Sequence, residues 1–284
     1  MKKLSLYIIL VLLCFNAETK AAKKNYSGFI LYNFFNEEKR YEDKNFPNPN
    51  NLAPISRTYK GKTPNISLIN GTDLKIIIYS HGTTRPQKRE KCSKWFNSIP
   101  ETLLVLKEIN NTYFYYLCSK ATDGPRVGSY ISKRTKEIDN VLDQLISAGV
   151  KPENIFLAGY SAGGWASLMM MDRVGKKFNS AIVFAPTFSG PRSEISQYPK
   201  WRREARPRQI KKMTKAKTVK ALIFAYEDDK FNRPQELIFL KEKYPNSVEL
   251  VGYKCGKGHN TTNNDCRFNK TEQTIKNYFE KQNK

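Results

Sequence analysis

The stretch Asn154-Ile155-Phe156-Leu157-Ala158-Gly159-Tyr160-Ser161-Ala162-Gly163-Gly164-Trp165-Ala166-Ser167-Leu168-Met169-Met170-Met171 decides how this chain is read. It opens with a short apolar run bounded upstream by Pro152, the pattern of a buried strand. It closes with small residues and helix formers. Between them stands G-x-S-x-G, and strand, G-x-S-x-G, helix is the context of a nucleophile elbow. The glycines have a chemical reason: a serine presented on a sharp strand-to-helix turn needs dihedrals and close approaches that side chains obstruct. A helix starting at Ser161 also aims free N–H groups at negative charge that forms beside it. Taken alone, the pentapeptide recurs by chance at ordinary helix starts. Its flanks, and the partners found elsewhere in the chain, give it weight.

Outward from this stretch, apolar strands alternate with amphipathic segments. Upstream, Ser27 to Phe35 reads as a first strand with Ile55 to Tyr59 as its hairpin partner, and Leu74 to Tyr79 as a buried strand. Pro100 to Ile109 reads as a helix and Thr112 to Cys118 as a strand. Tyr130 to Ala148 is a helix, with Ile131, Ile138, Val141, Leu142, Leu145 and Ile146 in helical period and Gly149 as its stop. Downstream, Ser180 to Ala185, Val219 to Tyr226 and Ser247 to Tyr253 read as strands. Pro234 to Lys243 and Thr271 to Lys281 read as helices, the former with proline in its first turn. This order predicts a mostly parallel sheet covered by helices. Residues 187–218 break the rhythm with ten Lys and Arg against Glu194 and Glu204. Such a basic insertion between two late core strands is either a cap over a pocket or a solvated loop-helix.

The first residues are a targeting segment. Lys2 and Lys3 precede an apolar run from Leu4 to Phe15, about a dozen residues, too short to span a bilayer and fitting a signal peptide cleaved near Ala17 or Ala21. Residues 1–22 are therefore read as a signal peptide and 23–284 as one exported domain, periplasmic or secreted. Export makes the cysteines informative. With Cys14 removed, Cys92, Cys118, Cys255 and Cys266 remain, and sequential pairing is expected because Cys255 and Cys266 bracket a short loop. A zinc site is disfavoured, since no C-x-x-C spacing occurs and the chain has only two histidines. No metal or cofactor is called for.

A net charge of +23, from 49 basic and 26 acidic residues, has two readings: a surface that attracts anionic partners nonspecifically, or, the favoured one, a Lys-rich composition that keeps an exported protein soluble. The basic residues are spread along the chain without a nucleic-acid-binding motif, so no specific nucleic acid is expected.

A serine nucleophile needs a base, an orienting acid and donors for an oxyanion. His259, in Gly258-His259-Asn260 after the last strand, is placed to reach Ser161. The acid should follow the strand ending at Tyr226, where Glu227-Asp228-Asp229 stand. Asp229 is favoured over Asp228, with Glu227 third, and any of them also serves as a helix cap. Ser, Asp, His is then the chain order. One oxyanion donor is the Ala162 N–H and the other the Thr83 N–H, on the loop Ser80-His81-Gly82-Thr83 that His81 and Gly82 shape.

These motifs together resemble the α/β-hydrolase superfamily, and the size and layout are similar to its secreted esterases, the dienelactone-hydrolase-like and polyester/acyl-esterase branches. The resemblance runs from about residue 65 to the C-terminus. It implies an α/β-hydrolase fold, a doubly wound sheet of about eight strands, and hydrolysis through an acyl-enzyme. Dienelactone hydrolases proper carry a cysteine nucleophile where this chain has Ser161, which favours ester hydrolysis. The expected substrate is a small-molecule or polymeric ester. A peptidase or acyltransferase uses the same four elements, and a polyanion-binding protein on a hydrolase scaffold would use the basic surface instead. Trp165 and Met169 to Met171 read as core packing, while Tyr160 either packs beneath the turn or borders the pocket.

Overall fold

The computed structural model describes residues 28–30, 74–83, 99–119, 129–187, 203–204, 206–263 and 267–283. Seven strands form one sheet: β1 (Gly28–Ile30), β2 (Lys75–Ser80), β3 (Thr112–Leu117), β4 (Ile155–Tyr160), β5 (Ser180–Phe184), β6 (Ala221–Tyr226) and β7 (Val248–Tyr253). Their order across the sheet is β1-β3-β2-β4-β5-β6-β7. All neighbours run parallel except β1, which is antiparallel to β3, with Gly28 opposite Tyr116. About eight strands were expected; seven lie among the described residues, and the remaining candidate, Ile55 to Tyr59, lies outside them.

Among the described residues, five α-helices accompany the sheet: α1 (Ser129–Ser147), α2 (Ala162–Val174), α3 (Arg206–Met213), α4 (Pro234–Lys243) and α5 (Phe268–Gln282). The helix expected over Pro100 to Ile109 is a 3₁₀ helix, Glu101–Glu108. It ends three residues before Asn111, whose φ of 60° turns the chain into β3; asparagine tolerates that left-handed geometry better than most residues.

Strands buried on both faces read as continuous apolar runs, whereas alternation marks a half-solvated sheet. β2, β4, β5 and β6 are of the first kind, and their alternate residues feed two separate cores. Ile76, Ile78, Leu157 and Val183 pack with α1, α2 and α4 through side chains such as Leu142, Trp165 and Leu240. Ile77, Phe156, Ile182 and Phe224 face the opposite layer, where the 3₁₀ helix contributes Leu103 and α5 contributes Phe279. The sheet is thus covered on both sides. Trp165, Met170 and Met171 are core residues of the first layer, with Met169 packed against it.

β2 pairs with β3 on one side and β4 on the other, so the winding direction reverses at its carboxyl end. In doubly wound sheets, ligands bind at such a switch point. The register sets Ser80 beside Gly159, which brings the loop after β2 alongside the turn after β4.

Of the basic insertion, residues 187, 203–204 and 206–218 are described; the rest lie outside. α3 packs against α2, with Met213 buried and Lys211 and Lys212 exposed. The Tyr244 hydroxyl donates to the carbonyls of Met213 (2.9 Å) and Ala216 (2.7 Å), closing the end of this segment. Cys118 and Cys255 are disulfide cysteines, while Cys92 and Cys266 fall outside the described residues, as do residues 1–22. Among the described residues, no helix is long and apolar enough to cross a membrane.

Candidate active site

The turn between β4 and α2 holds Ser161 at φ 55° and ψ −120°, a conformation that costs a non-glycine residue about 1–3 kcal/mol. The surroundings enforce it. The Ser161 N–H donates to the Phe184 carbonyl (2.9 Å), and its carbonyl accepts from the N–H groups of Trp165 and Thr187, both at 3.0 Å. Thr187 is brought there by Ala185, itself at φ 42°, whose carbonyl accepts from the Thr187 hydroxyl at 3.0 Å.

The glycines of the motif are required by space. A Cβ on Gly163 would lie 1.8 Å from the Ser80 carbonyl oxygen, and one on Gly159 would lie 2.5 Å from the Gly163 carbonyl carbon. Both obstacles are backbone, so no side-chain rotation relieves them. Gly163→Ala is therefore expected to destabilise the fold by about 3 kcal/mol or more, read as a lowered urea midpoint; an unchanged midpoint would mean that the two turns are not in contact.

Asp229 follows β6 and is fully buried. Its N–H donates to the Tyr226 carbonyl (3.1 Å), its Oδ1 accepts from the Phe231 N–H (2.7 Å), and its Oδ2 stands 2.8 Å from His259 Nδ1. His259 is the second residue of a 3₁₀ helix, Gly258–Asn263, that follows β7, and its Nε2 is 2.9 Å from Ser161 Oγ. A carboxylate only accepts, so Nδ1 carries the proton and Nε2 is the acceptor facing the serine hydroxyl. Asp228 does something else: its Oδ2 accepts from the Gly258 N–H at 2.9 Å, tying down the backbone just before His259. Gly258, at φ 54° and with a Cβ position only 3.2 Å from the Asp228 carbonyl oxygen, suits that close approach. Glu227 is exposed.

Two aromatic rings bracket the imidazole. The Tyr160 centroid lies 5.1 Å away and that of Phe231 4.4 Å away. The Tyr160 hydroxyl donates to the His259 carbonyl at 2.8 Å, so the residue beneath the turn also borders the base. Burial, with the charge of Asp229 adding to it, pushes the Tyr160 phenol well above its ordinary range and keeps it a neutral donor.

His81 is fully buried on the loop after β2. Its Nδ1 is 2.6 Å from the Gly82 carbonyl, and the Ser119 N–H donates to its Nε2 at 3.0 Å. Both ring nitrogens are thus committed to backbone, with the ring stacked on Tyr116. Arg134 of α1, also fully buried, donates through Nη1 to the His81 carbonyl and through Nη2 to the Gly82 carbonyl at 3.0 Å. Thr83 is half-exposed beyond them, and Ala162 is the first residue of α2.

Ser161, His259, Asp229, Asp228 and the His81–Thr83 loop all lie at the carboxyl ends of β4, β7, β6 and β2. Arg134 was not singled out in the sequence, though the signal was present: it falls between Ile131 and Ile138, on the buried stripe of α1, where a charged residue is out of place. Phe231 and Thr187 carried no such signal. Among the described residues, no cluster of three or more His, Cys, Asp or Glu side chains is placed to hold a metal ion.

No protein-family model matches the chain, and no curated protein matches it in sequence. Solved structures do share its architecture. Est1E from Butyrivibrio proteoclasticus, solved with ferulic acid, superposes with a TM-score of 0.53 at 16% identity, over 75% of this chain and 91% of that one. DcsB, solved with a substrate analogue, gives 0.55 at 14% identity, over 75% and 92%. A Bacteroides ovatus protein described as a dipeptidyl aminopeptidase IV gives 0.54 at 18% identity over 74% of this chain, which spans only 31% of that longer protein. Sheet order, the elbow at the switch point and these superpositions agree: the chain has the α/β-hydrolase fold.

Proposed function

We propose that the chain is a serine hydrolase that cleaves carboxylic esters through an acyl-enzyme. The observation that carries this reading is the hydrogen-bonded series Asp229–His259–Ser161, at 2.8 and 2.9 Å, ending on a serine held in a strained turn. Ser161 Oγ attacks the acyl carbon while His259 Nε2 takes its proton. The imidazolium that forms is stabilised by Asp229, and the oxyanion is received by the N–H groups of Ala162 and Thr83. His259 then protonates the departing alcohol. Water, activated by the same nitrogen, frees the acid and restores Ser161. Esters are the acyl class such a series attacks most readily, because an alkoxide leaves far more easily than an amide anion.

The reading includes export after removal of residues 1–22, with Cys92–Cys118 and Cys255–Cys266 disulfides, the second tethering the loop that carries His259. The net charge of +23 adds a salt-sensitive attraction to anionic surfaces.

The test is hydrolysis of p-nitrophenyl acetate and decanoate by the purified chain, beside labelling with a fluorophosphonate and mapping of the adduct by mass spectrometry. Hydrolysis with the adduct on Ser161 is expected, and the ratio of the two esters begins to define the acyl pocket. An inert, unlabelled protein that binds heparin with strong salt dependence would replace this reading with a polyanion-binding scaffold.

A further inference from the structure

We infer that Arg134 is a positioning residue of the oxyanion site, acting through the Gly82–Thr83 peptide bond; the inference rests on the hydrolase reading above. The Gly82 carbonyl accepts from His81 Nδ1 (2.6 Å) and from Arg134 Nη2 (3.0 Å), which occupies both of its lone pairs. The same guanidinium donates through Nη1 to the preceding carbonyl, that of His81. Two consecutive peptide groups are therefore gripped by one planar fork, the geometry in which arginine differs from lysine.

The consequence for chemistry follows from amide resonance. An amide whose oxygen accepts hydrogen bonds shifts density from nitrogen to oxygen, and its N–H becomes a stronger donor. The amide with its oxygen on Arg134 and His81 is the one whose N–H belongs to Thr83. A buried cation behind that peptide strengthens the donor aimed at the oxyanion, and the fork fixes its direction. His81 contributes as a neutral donor, since its Nε2 accepts from Ser119. Burial supplies the low-dielectric setting in which such polarisation counts, for Arg134 and His81 are both at 0% exposure. A cation that served only to attach α1 to the sheet would have no need to grip the two carbonyls that flank the loop's turn.

The experiment follows the rate at which a fluorophosphonate labels Ser161, because its phosphoryl oxygen develops charge in the same site, and it requires no knowledge of the natural ester. Arg134→Met should slow labelling by about 10- to 100-fold, part of the roughly 100- to 1,000-fold lost when an oxyanion donor is removed outright. Arg134→Lys keeps the charge but not the fork and should slow it by a smaller factor, about fivefold. In both variants the final labelled fraction and the pH midpoint of the rate should match the wild type, since His259 is untouched. Arg134→Lys also guards against a Met variant that does not fold. The inference is overturned if either folded variant labels at the wild-type rate. It is equally overturned if the loss lies in the labelled fraction, with surviving molecules reacting normally, or in a displaced pH midpoint, both being marks of a merely structural role. A wild-type chain that is not labelled sinks the hydrolase reading and this inference with it, whereas a labelled wild type with indifferent Arg134 variants sinks this inference alone.

Discussion

Ser161→Ala is expected to lower kcat for ester hydrolysis by about 10⁶-fold, the loss typical of removing a nucleophile from a working triad. The substitution is a narrow one. Ser161 Oγ faces His259 Nε2 at 2.9 Å, and alanine keeps the Cβ, so the packing around the turn is conserved. The backbone bonds that hold φ at 55° run through the Ser161 N–H and carbonyl, which alanine supplies equally. A far-ultraviolet spectrum and thermal midpoint close to wild type should therefore accompany the loss of rate. The second half of the expectation is non-additivity. Once Oγ is gone, His259 has no proton to take, so adding His259→Ala to Ser161→Ala should lose almost nothing more. A double variant much slower than either single one would mean that the two residues act separately, and a Ser161→Ala protein that retained activity would place the chemistry elsewhere.

The elbow was legible because it is a local device. Five residues, a strand before them and a helix after them carry the reading, and the demand for glycine at 159 and 163 is visible in the obstacles a Cβ would meet there. The sheet was legible for a similar reason: strands covered on both faces are continuous apolar runs, and β2, β4, β5 and β6 are such runs. Asp229 was favoured over Asp228 and Glu227 on its place in the sequence alone, a thin ground, because three adjacent carboxyls differ only in how the turn after β6 aims them. That aim is set by backbone hydrogen bonds from Glu227 to Tyr253 (2.8 Å) and from Asp229 to Tyr226 (3.1 Å), which no periodicity records. Arg134 was missed for a different reason. An arginine in an amphipathic helix reads as solvated, and only its place on the stripe between two buried isoleucines betrays it. The helix at Glu101–Glu108 shows the same limit, since apolar spacing over eight residues fits a 3₁₀ helix as well as an α-helix.

Asp229→Asn should lower kcat by about 10⁴-fold, while Asp228→Asn should stay within about fivefold of wild type, and the hydrogen bonds around the two residues say why. Asp229 Oδ1 is held at 2.7 Å by the Phe231 N–H, a donor that accepts no substitute but an oxygen. In Asp229→Asn the amide carbonyl must therefore occupy that place, which turns the NH₂ toward His259 Nδ1. A donor now faces Nδ1, so Nδ1 becomes the acceptor and the proton moves to Nε2. An Nε2–H cannot take the proton of Ser161, and the base is held in the wrong tautomer with its geometry otherwise intact. The lost carboxylate also leaves the imidazolium without its buried counter-charge. Asp228 escapes this logic, because its Oδ2 serves the Gly258 N–H and an asparagine carbonyl can accept that bond in its place. Measuring kcat for both variants on one activated ester, with the labelling rate of Ser161 beside it, separates the two. Collapse of Asp228→Asn with Asp229→Asn intact would reverse the assignment of the acid, and equal modest losses in both would mean that neither carboxylate orients the base.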